Sequence, residues 1–236
     1  MSIWNEKCIL SPSLICLDMC NLESQIKELE VASIKMLHVD ILDGHFSPSM
    51  PLGFETVKQL RAKTDMEFDA HVMVTKPDYF VDELLDIGVQ QIVFHIETAP
   101  HVDGMLNRIK SKGVKAGVAL KPSTPLSALE YIIEKCDTVL LMLINPGYAS
   151  SAAEKQVAYA DRKICELRSM IRDRGLPTKI EIDGRISPAN IEAYGNGDVD
   201  IFVVGSTCIN RNAIAQSMQK LNQLREKIIS AGEGEK

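Results

Sequence analysis

Met36-Leu37-His38-Val39-Asp40-Ile41-Leu42-Asp43-Gly44 is a short apolar run broken by a histidine and an aspartate at alternate positions. A strand sends alternate side chains to opposite faces, so His38 and Asp40 point the same way. The Asp-Gly pair then turns the chain. The same kind of run recurs as Phe68-Asp69-Ala70-His71-Val72-Met73-Val74 and as Lys179-Ile180-Glu181-Ile182-Asp183-Gly184. Each carries one more candidate ligand near its end, His71 and Asp183. Two histidines and two aspartates suit a borderline divalent transition metal with nitrogen and oxygen preference, such as zinc, manganese or iron. Any one of the four alone reads equally well as a buried, hydrogen-bonded polar residue. The four together point to a metal centre.

These runs belong to a longer alternation. Strands are predicted at Cys8–Cys16, Met36–Leu42, Met66–Val74, Gln91–Glu97, Lys115–Lys121, Thr138–Ile144, Lys179–Asp183 and Ile201–Gly205. Most are nearly continuous apolar runs, as parallel strands covered on both faces require. Helices with one apolar and one charged face are predicted between them, at Leu22–Val31, Phe54–Arg61, Tyr79–Ile87, Val102–Lys112, Leu126–Glu134, Ala153–Arg174, Pro188–Tyr194 and Ala213–Ala231. Asp78 is a candidate cap with Gly88 at the exit of its helix, and Ser187-Pro188 gives a cap followed by proline at the first helical position. No linker divides the chain. Eight strand-helix units without a break predict a single α/β domain over 1–236, a (β/α)8 TIM barrel, with a flexible tail from about residue 231. An open doubly wound sheet is the alternative, but no glycine-rich dinucleotide fingerprint follows the first strand.

Composition narrows the function. The 236 residues carry 45% hydrophobic and 25% charged residues, ordinary for a soluble domain. A net charge of −6 argues against a nucleic-acid binder and leaves any anionic substrate to local backbone groups. The first residues lack the apolar core of a secretory signal, and the longest apolar run, Val139–Ile144, is far too short to span a bilayer. The expected location is cytoplasmic, with no membrane or nucleic-acid partner. Six scattered cysteines, with no Cys-x-x-Cys pair, read as reduced thiols filling the core.

In a barrel of this kind active sites lie at the C-terminal ends of the strands, where His38, Asp40, His71 and Asp183 all fall. The chain resembles the ribulose-phosphate 3-epimerase family over nearly its whole length. The stretches that carry the resemblance are Ser11-Pro12-Ser13-Leu14, His38 through Phe46, His71-Val72-Met73-Val74, Leu141-Met142 with Asn145-Pro146-Gly147, Glu181 through Gly184, and Val204-Gly205-Ser206. The resemblance implies a barrel enzyme that inverts the stereocentre beside a ketose carbonyl in a sugar phosphate. It implies one divalent metal ion (zinc, manganese, iron or cobalt) and suggests a homo-oligomer. It assigns acid and base roles to Asp40 and Asp183, both also ligands, and sets Met73 and Met142 as walls of the metal pocket. Ser13 matches the serine near the substrate hydroxyls. Gly147, Gly184, Gly205 and the amide of Ser206 match the phosphate-binding positions.

The pair of aspartates suits the reaction physically. Proton removal beside a carbonyl leaves an enediolate, whose charge a Lewis acid stabilises, and inversion needs a proton taken on one face and given on the other. One carboxyl must then be ionised and the other protonated; nothing in the sequence accounts for the second. The chain also departs from the family. Leu42 stands where methionine is usual, Tyr148-Ala149-Ser150-Ser151 replaces a glycine-containing loop, and Arg185 stands where glycine or serine is usual. Arg185 reads either as a bidentate phosphate contact or as a solvated loop charge.

Asp43 reads as a turn residue, His45 as lining the pocket mouth or exposed, His95 as a satisfied core histidine, and His101 as a helix-start or surface residue. For substrate, Ser13 through Asp18, His71 through Pro77, and Glu97-Thr98 resemble the branch acting on allulose 6-phosphate and fructose 6-phosphate. That six-carbon reading is the expectation, with ribulose 5-phosphate and xylulose 5-phosphate as the alternative. A sugar-phosphate-binding paralogue without activity is a third reading. An aldolase or decarboxylase is more distant, since Lys121 is the only strand-end lysine and has no obvious activating partner.

Overall fold

A computed structural model describes residues 2–149, 151 and 153–233. Eight parallel strands form one sheet: β1 (Ile9–Pro12), β2 (Met36–Leu42), β3 (Glu67–Met73), β4 (Gln91–His95), β5 (Lys115–Leu120), β6 (Thr138–Met142), β7 (Lys179–Asp183) and β8 (Ile201–Val204). From β2 to β8 each strand pairs with the next in sequence, and β8 pairs with β1. A bridge between Ser13 and His38 brings β1 to β2, so the sheet closes as a (β/α)8 barrel.

The helices among the described residues are α1 (Leu22–Val31), α2 (Phe54–Arg61), α3 (Pro77–Ile87), α4 (Val102–Ser111), α5 (Ala160–Asp173), α6 (Pro188–Tyr194) and α7 (Ile214–Glu233). Their apolar faces and the outward residues of the strands make the main core, which includes Leu37, Val39, Phe68, Phe94 and Phe202. Each such side chain, fully buried, stabilises the fold by ~1.5–3 kcal/mol. Inside the barrel, Ile9, Met36 and Ile201 close the N-terminal end together with Ile3. Val93, Ala119, Leu140, Met142 and Val203 fill the upper part.

Several boundaries move for local reasons. β1 stops at Pro12, which has no N–H to donate, and the predicted remainder to Cys16 is a 3-10 turn, Leu14–Cys16. β4 likewise passes into a 3-10 turn, Ile96–Thr98. The helix predicted over Leu126–Glu134 is instead two 3-10 turns, Leu126–Leu129 and Ile133–Lys135. Pro125 precedes the first of them at its cap position, and so short a segment cannot offset the cost of helix nucleation. The helix predicted from Ala153 begins only at Ala160. Glu154 and Gln156 are taken up by side-chain bonds to Asn145 and to the carbonyls of Gly184 and Arg185.

Asp78 is not the cap of α3: Lys76 holds that position with Pro77 following, and Asp78 sits in the first turn. Ser187 does cap α6, through a capping box with Asn190. α7 continues past residue 231 to Glu233, where a flexible tail was expected; the rest of that expected tail, residues 234–236, lies outside the described residues. Among the described residues no helix is long and apolar enough to cross a membrane.

Candidate active site

β2, β3 and β7 bring His38, Asp40, His71 and Asp183 together. One ligand atom from each lies within 4.8 Å of the others. His38, Asp40 and His71 are buried, while the Asp183 side chain keeps 18% exposure toward the cavity above. Asp40 Oδ1 lies 3.3 Å from His38 Nε2 and 3.5 Å from His71 Nδ1, and Asp183 Oδ2 lies 3.8 Å from His71 Nδ1. His38 Nε2 and His71 Nδ1 are buried without a hydrogen-bond partner, which is costly unless something outside the chain accepts their lone pairs. Two orphaned imidazole nitrogens and two carboxylate oxygens at these separations fit a divalent cation with nitrogen and oxygen preference.

Deeper partners aim these side chains. His38 Nδ1 donates to Asp69 Oδ2 at 2.8 Å, which turns its Nε2 to the cluster. Asp69 also accepts from Gln91 Nε2 at 2.7 Å; Gln91 Oε1 accepts from Thr138 at 2.6 Å, and Gln91 Nε2 reaches Glu181 at 3.3 Å. On the other side, His71 Nε2 stands 3.0 Å from His95 Nε2, and His95 Nδ1 stands 3.0 Å from Glu97. Ser13 Oγ donates to Asp40 Oδ2 at 2.7 Å, on the carboxylate edge away from the histidines.

The two aspartates hold protons differently. Burial alone would raise Asp40, but the neighbouring imidazoles, His38 first and His71 after it, outweigh it and hold the carboxyl well below the ordinary range. Asp183 is pushed up to about 7, first by burial and then by the negative charge of Asp40. In the metal-free protein, then, Asp183 is the carboxyl of the pair that keeps its proton more readily. His71 is lowered to about 4, mainly by burial, so its ring is neutral.

A cavity of about 240 Å³ opens directly above, lined by Ser13, Cys16, Asp40, Leu42, Met73, Met142, Asp183 and the loops carrying Gly147, Gly184, Arg185, Gly205 and Ser206. Gly147, at φ +82°, is required by packing: a Cβ there would collide with the Ser47 hydroxyl. Gly184, at φ +113°, would collide with Ile144. Arg185 is neither a free surface charge nor aimed into open space. Its Nη2 donates to the carbonyls of Ala149 and Ser151, at 3.1 and 2.6 Å, and its φ of +54° explains why a glycine suits the position. Leu42 is buried at the cavity wall.

Asp43 is a turn residue. Its Oδ1 accepts from the amides of His45 and Phe46, and its Oδ2 from the amide and hydroxyl of Thr75. His45 is exposed, and His101 stands at the start of α4. Asp69, Gln91, Thr138 and Glu181 were not singled out by the sequence reading, and Glu97 entered it only, with Thr98, as a mark of the six-carbon branch. For Asp69 and Glu181 a signal was present, since each lies two residues before a ligand on the same strand face.

A profile of the ribulose-phosphate 3 epimerase family matches residues 9–209. The chloroplastic ribulose-5-phosphate-3-epimerase of Arabidopsis thaliana is 36% identical over 214 residues, 89% of this chain and 75% of that protein. The chain belongs to the ribulose-phosphate 3-epimerase family. That makes it an enzyme of isomerase lineage. The ribulose-phosphate 3-epimerase of Aquifex aeolicus is 34% identical over 225 residues, covering 94% of this chain and 99% of its own. These relatives are ribulose-phosphate enzymes and lend the six-carbon expectation no support. Among solved structures, 3-hexulose-6-phosphate synthase from Salmonella typhimurium superposes with a TM-score of 0.66 at 15% identity, covering 93% of this chain and 100% of that one. At that identity the likeness is one of fold.

Proposed function

We propose that this family member inverts C3 of a ketose phosphate by proton transfer between Asp40 and Asp183, with ribulose 5-phosphate and xylulose 5-phosphate as the pair. The observation that carries the reading is that two carboxyls, Asp40 and Asp183, line one cavity, each with an oxygen within 4 Å of His71 Nδ1; burial and the charge of Asp40 favour the protonated form of Asp183 in the metal-free protein. Asp40 takes the proton from C3 and Asp183 gives one from the opposite side; in the reverse direction the roles exchange. A divalent ion held by His38, Asp40, His71 and Asp183 would supply Lewis-acid stabilisation of the charge that develops on the substrate. Met73, Met142 and Leu42 keep water from that charge, and Ser13 orients Asp40.

The phosphate is assigned to the backbone at Gly147, Gly184, Gly205 and Ser206, which borders the far side of the cavity. Arg185 serves there by bracing the loop through Ala149 and Ser151. The substrate choice rests on the relatives, which act on ribulose phosphate by name.

Proton NMR in D2O tests the reading. Metal-loaded protein is incubated with ribulose 5-phosphate and, separately, with allulose 6-phosphate. Deuterium at C3 with appearance of the epimer in the first sample is expected. Exchange confined to the second sample replaces the substrate with the six-carbon sugar. Exchange in neither, with metal bound, removes both named reactions and leaves a different ketose or a binding role.

A further inference from the structure

A row of side chains runs from the ligand cluster to the rim of the barrel. His71 Nε2 faces His95 Nε2 at 3.0 Å, and His95 Nδ1 faces Glu97 Oε2 at 3.0 Å. Glu97 sits on the 3-10 turn after β4, and its other oxygen accepts the Lys121 backbone N–H at 2.8 Å and the Thr124 hydroxyl. Both imidazoles are fully buried, and Phe46 packs over His95 with ring centroids 4.7 Å apart.

A neutral imidazole carries one proton, so each ring in such a row donates at one nitrogen and accepts at the other. A carboxylate only accepts. Glu97 therefore places the His95 proton on Nδ1 and leaves His95 Nε2 as an acceptor. That acceptor in turn places the His71 proton on Nε2. The lone pair of His71 is then on Nδ1, the buried nitrogen that faces Asp40 and Asp183 and has no hydrogen-bond partner. We propose that Glu97 is a positioning residue: through His95 it fixes the direction of the hydrogen bonds so that His71 Nδ1 is bare for a divalent cation. The inference rests on the reading of the cluster as a cation site.

The direction of the row can be reversed without changing its shape. In Glu97→Gln the Lys121 N–H still needs an acceptor, so the amide oxygen takes that side and the NH2 group faces His95 Nδ1. His95 must then carry its proton on Nε2, His71 must accept there, and the remaining His71 proton moves to Nδ1, into the cation site. Glu97→Ala removes the bias without reversing it. The nearly isosteric variant should therefore bind metal more weakly than the truncated one, the opposite of what packing alone would give.

The experiment is a cobalt(II) titration of chelator-stripped full-length protein against a competing chelator, for wild type, Glu97→Gln and Glu97→Ala. Long-range proton-nitrogen NMR of the metal-free proteins assigns the His71 and His95 tautomers. Affinity is expected to fall roughly 10–100-fold in Glu97→Gln, the range for partners behind a ligand, and less in Glu97→Ala. His71 is expected as the Nε2–H tautomer in wild type and Nδ1–H in Glu97→Gln. Equal affinity of Glu97→Gln and wild type, a larger loss in Glu97→Ala, or an unchanged His71 tautomer overturns the role of Glu97. Wild-type protein that takes up no cobalt removes the cation site itself, and this role with it.

Discussion

Ser13 Oγ donates to Asp40 Oδ2 at 2.7 Å, which leaves Asp40 Oδ1 turned to His38 Nε2 and His71 Nδ1 at 3.3 and 3.5 Å. The serine follows β1 and the aspartate lies on β2, where the barrel closes. One oxygen is thus held for the cluster and the other is fixed by a hydroxyl. A hydrogen bond to a charged group contributes ~1.5–3 kcal/mol. Ser13→Ala is therefore expected to lower kcat/KM by roughly 10–100-fold while metal content is unchanged. Steady-state kinetics with metal analysis checks this; a change under twofold would release Ser13 from orienting Asp40.

The proton on Asp183 makes the stability of the metal-free protein depend on pH. The folded carboxyl titrates at about 7 against an ordinary value of 3.8, so the folded state binds more protons between those values. Stability from this group is complete below about pH 4 and is lost as pH rises to about 7. Asp183→Asn does not titrate and keeps its level. The stability difference, variant minus wild type, is therefore expected to grow between about pH 4 and 7 and then level off. Urea unfolding of chelator-treated protein across this range measures it. A constant difference would mean that Asp183 carries no such proton.

The clustering of His38, Asp40, His71 and Asp183 was legible because strands keep a period of two: His38 and Asp40, and the ends of β3 and β7, fall on the inner face by count alone. The layer beneath them, Asp69 with Gln91, Thr138 and Glu181, continues the same count. It is easily passed over because a lone buried acid in an apolar run looks like noise until its partners are seen. Glu97 is different. The chain leaves strand geometry at Ile96 for a 3-10 turn, so neither period two nor spacing connects it to His71. The bond between Arg185 and the loop at Ala149 and Ser151 joins residues more than thirty apart, and no local pattern announces it. The short helix expected after β5 failed for a related reason, since amphipathic spacing over so few residues does not outweigh proline and the cost of nucleation.

Asp43 ties the loop after β2 to the loop after β3. Its carboxylate takes three backbone N–H groups and one hydroxyl, which outweigh partial burial and lower its pKa to about 2. Asp43→Ala leaves those donors to water and is expected to cost ~1–2 kcal/mol, read as a lowered thermal midpoint. Because the folded pKa is depressed, this contribution is present above about pH 4 and lost as pH falls through about 2. The midpoints of wild type and variant should therefore converge in acid. A constant gap at all pH values would place the effect in the side chain's packing.

Arg185 separates bracing from direct phosphate binding. It sits at φ +54°, a region that costs a residue with a Cβ roughly 1–2 kcal/mol, and it donates to Ala149 and Ser151. Arg185→Gly removes that cost and also removes hydrogen bonds of ~0.5–1.5 kcal/mol each, so stability should change little. Arg185→Lys keeps the strained backbone, and its shorter side chain places the ammonium short of the Nη2 position that reaches both carbonyls, so it should be the less stable variant. If Arg185 braces the loop, both substitutions are expected to raise KM for the sugar phosphate several-fold with kcat nearly unchanged. If its charge bound the phosphate directly, lysine would keep KM near wild type and glycine alone would raise it. Thermal melts and KM values for the two variants distinguish these roles, because only the brace predicts that lysine is worse than glycine for stability and no better for KM.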